Sequence, residues 1–142
     1  MLRVIKSIQL REIMITINEL SFDKKRIISP DDITAQFSFR TTITESEPES
    51  LCMLNIHSDV KAVQPAGENV FTLSLAVEYC FNLLDPDAFH SCNKEERIRL
   101  AVNYVYMDFR SKLTTLIESA GVKDFHLPYT IDQLVALPPQ NE

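Results

Sequence analysis

Glycine is nearly missing from this chain, with two in 142 residues, and tryptophan is absent altogether. With so little glycine no loop is available to cradle a phosphate, which excludes the common nucleotide-binding fingerprints. Three irregularly spaced cysteines make no disulfide framework and point to a reducing compartment. Positive charge is in the minority, with 14 Lys and Arg against 20 Asp and Glu, a net charge of −6. A nucleic-acid surface needs clustered cations, and the one cluster, Lys24-Lys25-Arg26, falls in an expected loop. No apolar run is long enough to cross a bilayer, so no membrane insertion is expected. Met1 to Lys6 lacks the continuous apolar segment of a signal peptide, so the expected location is the cytoplasm. What remains is ordinary: 45% hydrophobic and 24% charged residues, in a length that suits one domain with a real core.

The longest regular stretch runs from Asn93 to Gly121. Asn93 with Glu96 three residues later is a capping-box signature, two acids sit in the first turn, and Gly121 is a natural stop. The expected helix, about residues 94–120, is about 40 Å long. Ile98, Val102, Val105, Phe109, Leu113, Leu116 and Ala120 form its main apolar stripe. Leu100, Tyr104 and Met107 form a second, shorter stripe. That stripe either widens the core face or meets a neighbouring subunit.

Four segments alternate with a period of two, at about 8–23, 32–45, 51–63 and 69–81. In the first, the phase slips between Leu10 and Ile13 and again between Ile17 and Leu20, as bulges would cause. The second puts Ala35, Phe37, Phe39 and Ile43 on one face, and the third Cys52, Leu54, Ile56, Val60 and Ala62. The fourth puts Phe71, Leu73, Leu75, Val77 and Tyr79 inward. One greasy and one polar face, with turns too short for crossover helices, imply an antiparallel sheet. Leu84 to Asp87 reads as a loop in which acids cap the backbone. A short helix is expected at about 131–137, ended by Pro138-Pro139. The fold class is therefore α+β: a four-stranded antiparallel sheet with one long helix and a short C-terminal helix on one face.

No catalytic motif stands out. His90 and Cys92 with Cys80 lack the paired spacing of a zinc site, so no metal is expected. His57 belongs to the polar face of the third strand and reads as a surface residue. Neither an enzyme nor a cofactor is expected.

The order of elements, with Ile17-Asn18-Glu19-Leu20-Ser21-Phe22-Asp23, Phe125-His126-Leu127-Pro128 and Ile131-Asp132-Gln133-Leu134, resembles the SecB family of export chaperones over nearly the whole chain. The resemblance implies a dimer of dimers that holds unfolded polypeptide in an apolar groove without ATP or cofactor. Carried over by position, one wall of that groove is Ala35, Phe37 and Phe39, and the other is Phe125, Leu127, Ile131 and Leu134. Alternation alone leaves strand two equally open to being plain core. Glu19 and Asp23 match the first acids that the family offers to the SecA motor, whereas Ser74 and Ala76 replace an expected leucine and glutamate. Some SecB-like proteins instead guard the antitoxin of a toxin–antitoxin pair, and the departures leave either client class open. The other reading is a non-catalytic assembly subunit, for which Leu100, Tyr104 and Met107 would be the oligomer interface.

Overall fold

In the computed structural model the described residues are 2–22, 34–46, 50–64, 67, 69–122 and 127. The alternating segments become strands β1 (Ile8–Phe22), β2 (Thr34–Ser46), β3 (Leu51–Val63) and β4 (Asn69–Leu83). All described pairings are antiparallel, in the order β1-β4-β3-β2. Strands β2, β3 and β4 follow one another as hairpins, while β1 lies beside β4, on the opposite edge from β2. This is the spatial order of a Greek key read from its far end.

The long helix is α3 (Lys94–Ser119). Its start is the reciprocal cap that the sequence announces: Glu96 N–H donates to Asn93 Oδ1 at 2.8 Å, and Asn93 N–H donates to Glu96 Oε1 at 3.4 Å. Gly121, at φ +96°, takes the left-handed turn that ends it. Two short helices flank this core, α1 (Leu2–Ile5) and α2 (Pro86–His90). The second corrects the expected loop, since Asp85 accepts from Ala88 N–H at 3.1 Å and Pro86 opens the turn. Strand β4 also continues past residue 81, the expected end, to Leu83, which pairs with Ile8. The short helix expected at 131–137 lies outside the described residues.

Helix α3 lies on the apolar face and packs on β2, β3 and β4. Leu54, Ile56, Val60, Phe71, Leu75, Val77, Tyr79 and Phe81 are all buried beneath it. From the helix come Val102, Val105, Phe109 and Leu113, as expected, together with Ala101, Tyr106 and Ile117. Ile98 and Leu116 are only partly buried at the stripe's margin. The core thus takes a wider arc of helix than the heptad-like stripe suggests.

Strand β1 carries two register shifts, between Leu10 and Glu12 and between Ile15 and Ile17. The first is where the alternation slips. The second comes earlier than the sequence pattern places it, at Thr16, whose hydroxyl donates to Ala76 O at 3.2 Å. Ile17 therefore pairs with Ala76 on the outward side, and Asn18 takes the inward register opposite Leu75. A hydroxyl able to satisfy the bulged backbone outweighs the apolar pattern there.

Candidate functional site

Strand β2 is an edge strand, and Ala35, Phe37 and Phe39 stand two residues apart on its inward face. All three are half-buried rather than sealed. The Phe37 and Phe39 rings stack at 6.2 Å with 19° between their planes, and Phe39 meets Phe109 edge-on at 6.2 Å. Beside Phe39 in register is Ser58, fully buried, whose hydroxyl has no partner among the described residues. A small residue there leaves room for the ring. The inner sides of these aromatics touch the core and their outer sides reach the margin of the sheet, so they can present apolar surface without leaving their rotamers.

The end of the same strand is held differently. Glu45 Oε1 accepts from Arg97 Nε at 2.7 Å, and its Oε2 lies 3.2 Å from His90 Nδ1. Arg97 also donates to Cys92 O at 2.6 Å and lies 5.9 Å from the Phe89 ring centre. This half-buried cluster ties β2 to α2 and to the start of α3. Cys52, in register with Glu45, is fully buried, and burial foremost, then the Glu45 charge, pushes its thiol up to about 12. Deeper in, Tyr79 donates to Asp108 Oδ2 at 2.8 Å, and burial raises its phenol well above the usual range.

Of the other expected groove residues, Leu127 is 3% exposed and its carbonyl accepts from Arg110 Nε at 3.1 Å. Phe125, Ile131 and Leu134 lie outside the described residues, as does Asp23 of the expected motor contact. Glu19 is exposed and in register with Ser74 on the outward face. On α3, Tyr104 and Met107 are 49% and 54% exposed, while Leu100 is partly buried. Tyr104 rests edge-on against Phe81 at 5.6 Å, so its inner side does widen the core. Its outer side opens on a hollow of about 690 Å³ between α1 and α3, walled by Val4, Ile5, Leu100 and Tyr104, with Arg99 and Asn103 in its lining.

The outward face holds a group that the sequence scattered across three strands. The Arg40 guanidinium lies 2.8 Å from His57 Nδ1 and 3.5 Å from its Nε2, His57 Nε2 lies 3.2 Å from Asp59 Oδ1, and Ser74 donates to the same carboxylate. Asp59 is held below the usual carboxylate range by the Ser74 hydrogen bond foremost, and further by His57 and Arg40. His57 is thus a linked residue rather than a solitary surface one; its i, i+2 spacing from Asp59 was the available signal. A serine triad requires the imidazole to lie between hydroxyl and carboxylate. Here the hydroxyl bonds to the carboxylate, so Ser74 is not activated. Cys80, His90 and Cys92 are not brought together either: Cys80 has the outward register opposite Glu12, and His90 faces Glu45. Among the described residues no group of three His, Cys, Asp or Glu could hold a metal, and no helix is long and apolar enough to cross a membrane.

No family model matches the chain, and no curated protein matches it in sequence. Among solved structures, it is similar to the SecB-like chaperone Rv1957 of Mycobacterium tuberculosis, solved in complex with a ChAD peptide from the HigA1 antitoxin. The two share 14% identity and superpose with a TM-score of 0.65, over 89% of this chain and 93% of that one. The fold of this chain is therefore the SecB-like one, carried on a divergent sequence.

Proposed function

We propose that this protein is a chaperone that holds unfolded or aggregation-prone polypeptide without ATP or cofactor. The observation that carries the reading is the half-buried aromatic pair Phe37 and Phe39 on an edge strand of a SecB-like sheet. Ala35 shares their face of β2, and the resemblance assigns Phe125, Leu127, Ile131 and Leu134 to the other wall of the groove. Aromatic rings offer large contact area with few rotors to freeze, which suits a groove that accepts many sequences. The solved neighbour holds an antitoxin peptide, which favours a dedicated client of that kind over export. Glu19 remains available to a motor, but the outward face beside it carries Ser74 and Ala76. Assembly as a dimer of dimers uses the exposed Tyr104 and Met107 with Leu100.

The decisive experiment is the double variant Phe37→Ser with Phe39→Ser, its melting temperature measured beside its affinity for a denatured client. Loss of at least tenfold in affinity with the melting temperature kept would support the groove. If the rings are core, stability falls by about 3–5 kcal/mol per ring and binding fails only in proportion to unfolding. Unchanged binding in a stable variant would also reject the assignment. Aggregation suppression that persists without nucleotide and in chelator is the expected accompaniment. Sedimentation as a tetramer or dimer at micromolar concentration tests the assembly face, and a monomer would remove it.

A further inference from the structure

Strand β1 leaves aliphatic side chains bare on both of its faces. Among the described residues it has no neighbour in the sheet beyond β4. Ile13 and Ile15 have the inward register, opposite Tyr79 and Val77, and Met14 has the outward one, opposite Glu78. All three are exposed. A free edge of this kind pairs with another strand unless something guards it, and bulges are a common guard. Here the bulges flank the bare residues instead of covering them, one at Arg11 and one at Thr16.

We propose that this edge joins two copies of the chain, β1 running antiparallel to β1 about a two-fold axis through Met14. That axis is the one that sets all three bare residues against one another, Met14 with Met14 and Ile13 with Ile15 twice. It also makes the bulges harmless. Each bulge slips the alternation by one residue, and a copy turned about Met14 brings its Thr16 slip beside the Arg11 slip of the other. The slips offset, so inward residues meet inward residues at both ends of the strand: Leu10 meets Asn18, and Ile8 meets Leu20. An axis moved one residue either way sets Ile13 against the outward Ile17, or Met14 against Glu12.

Charge favours the same arrangement. Arg11, whose charge reaches the outward Cys80, comes diagonal to the other copy's Glu19, which is also outward. A parallel two-fold pairing would instead set Arg11 against Arg11 and Glu12 against Glu12. In the antiparallel pair both α3 helices lie on one side of a continuous sheet. The slot of about 250 Å³ between β1 and α3, lined in part by Ile15 and Asn18, then has Ile13 and Leu10 of the other copy at its mouth. The interface is isologous and closes at two copies. It is independent of what the protein holds, and it lies on a different surface from Tyr104 and Met107.

The test uses the full chain with Cys80→Ser and Cys92→Ser, which leaves only the buried Cys52. Met14→Cys should give a covalent dimer on mild oxidation, since both thiols stand on the axis. Glu12→Cys should give none, because its two copies lie about 14 Å apart along the strands. Ile15→Lys and, as a second variant, Met14→Lys should weaken one association step by about tenfold or more in sedimentation. The Met14→Cys link should persist when Tyr104→Glu is added, whether or not the α3 face holds copies together, so the two contacts fail separately. No link from a folded Met14→Cys protein, or a Glu12→Cys link formed as readily, would overturn the pairing. So would unchanged association in both lysine variants, or a link made to an unfolded client in place of the second copy.

Discussion

Strands β1 and β2 are the two edges of one sheet, yet β1 is broken by two bulges while β2 keeps register with β3 from Thr34 to Ser46. The helix explains the rest of the contrast. It lies over β2, β3 and β4, so Phe39 finds Phe109 and Glu45 finds Arg97. On the β1 side a slot of about 250 Å³ remains between strand and helix, lined in part by Ile15 and Leu116. Ile13, Met14 and Ile15 are accordingly 40%, 49% and 45% exposed, although two of them have the inward register. Inward register is therefore not the same as burial. A helix of about 10 Å diameter covers two or three strands spaced nearly 5 Å apart, and the strand beyond its reach stays bare.

The sharpest way to break this contrast is to empty the covered side. Phe109→Ala should cost about 3–5 kcal/mol in urea unfolding, because Phe109 is wholly buried against Phe39. A loss below 1 kcal/mol would mean that the helix does not hold β2. Next in size is Glu45→Gln, which leaves the half-buried Arg97 without its counter-charge and should cost about 1–3 kcal/mol in the same assay. An equal loss in Arg97→Gln, with the double variant no worse than either, would localise the effect to the pair.

Cysteine chemistry separates interior from margin more gently. Cys52, whose thiol burial pushes up to about 12, should stay silent to a thiol reagent at pH 8 until the protein unfolds. Cys92 is only half-buried and should react in the native state. Because the folded thiol is raised above its unfolded value, its contribution to stability is present below about pH 9. It is lost as pH rises from there towards the folded value. Rapid native labelling of Cys52 would contradict this packing. The smallest expected effect is on the bare edge. Ile15→Lys should change the stability of the isolated protomer by no more than about 0.5 kcal/mol. If it costs as much as Phe109→Ala, the edge is not bare in the protomer.

Much of the architecture was legible because it rests on local rules. Asn93 and Glu96 cap α3, Gly121 ends it, and the inward residues of β3 and β4 are those their alternation marks. The second bulge was misplaced because apolar periodicity cannot see that Thr16 bonds to Ala76 O. Alternation puts Phe37 and Phe39 on one face of β2, but their half-burial depends on where the helix stops covering the sheet. The outward polar chain was missed because Arg40, His57, Asp59 and Ser74 come from three strands, and only their register makes them neighbours.

By itself the sequence determined the number of strands, the face each one offers to the core, and the ends of the long helix. Those follow from side-chain period and capping, which act within a few residues. The tertiary structure decided the strand order, which edge the helix covers, and which polar residues meet across strands. Those depend on how one rigid helix is laid across a twisted sheet, and the separations involved, such as Glu45 to Arg97, leave no trace in local pattern.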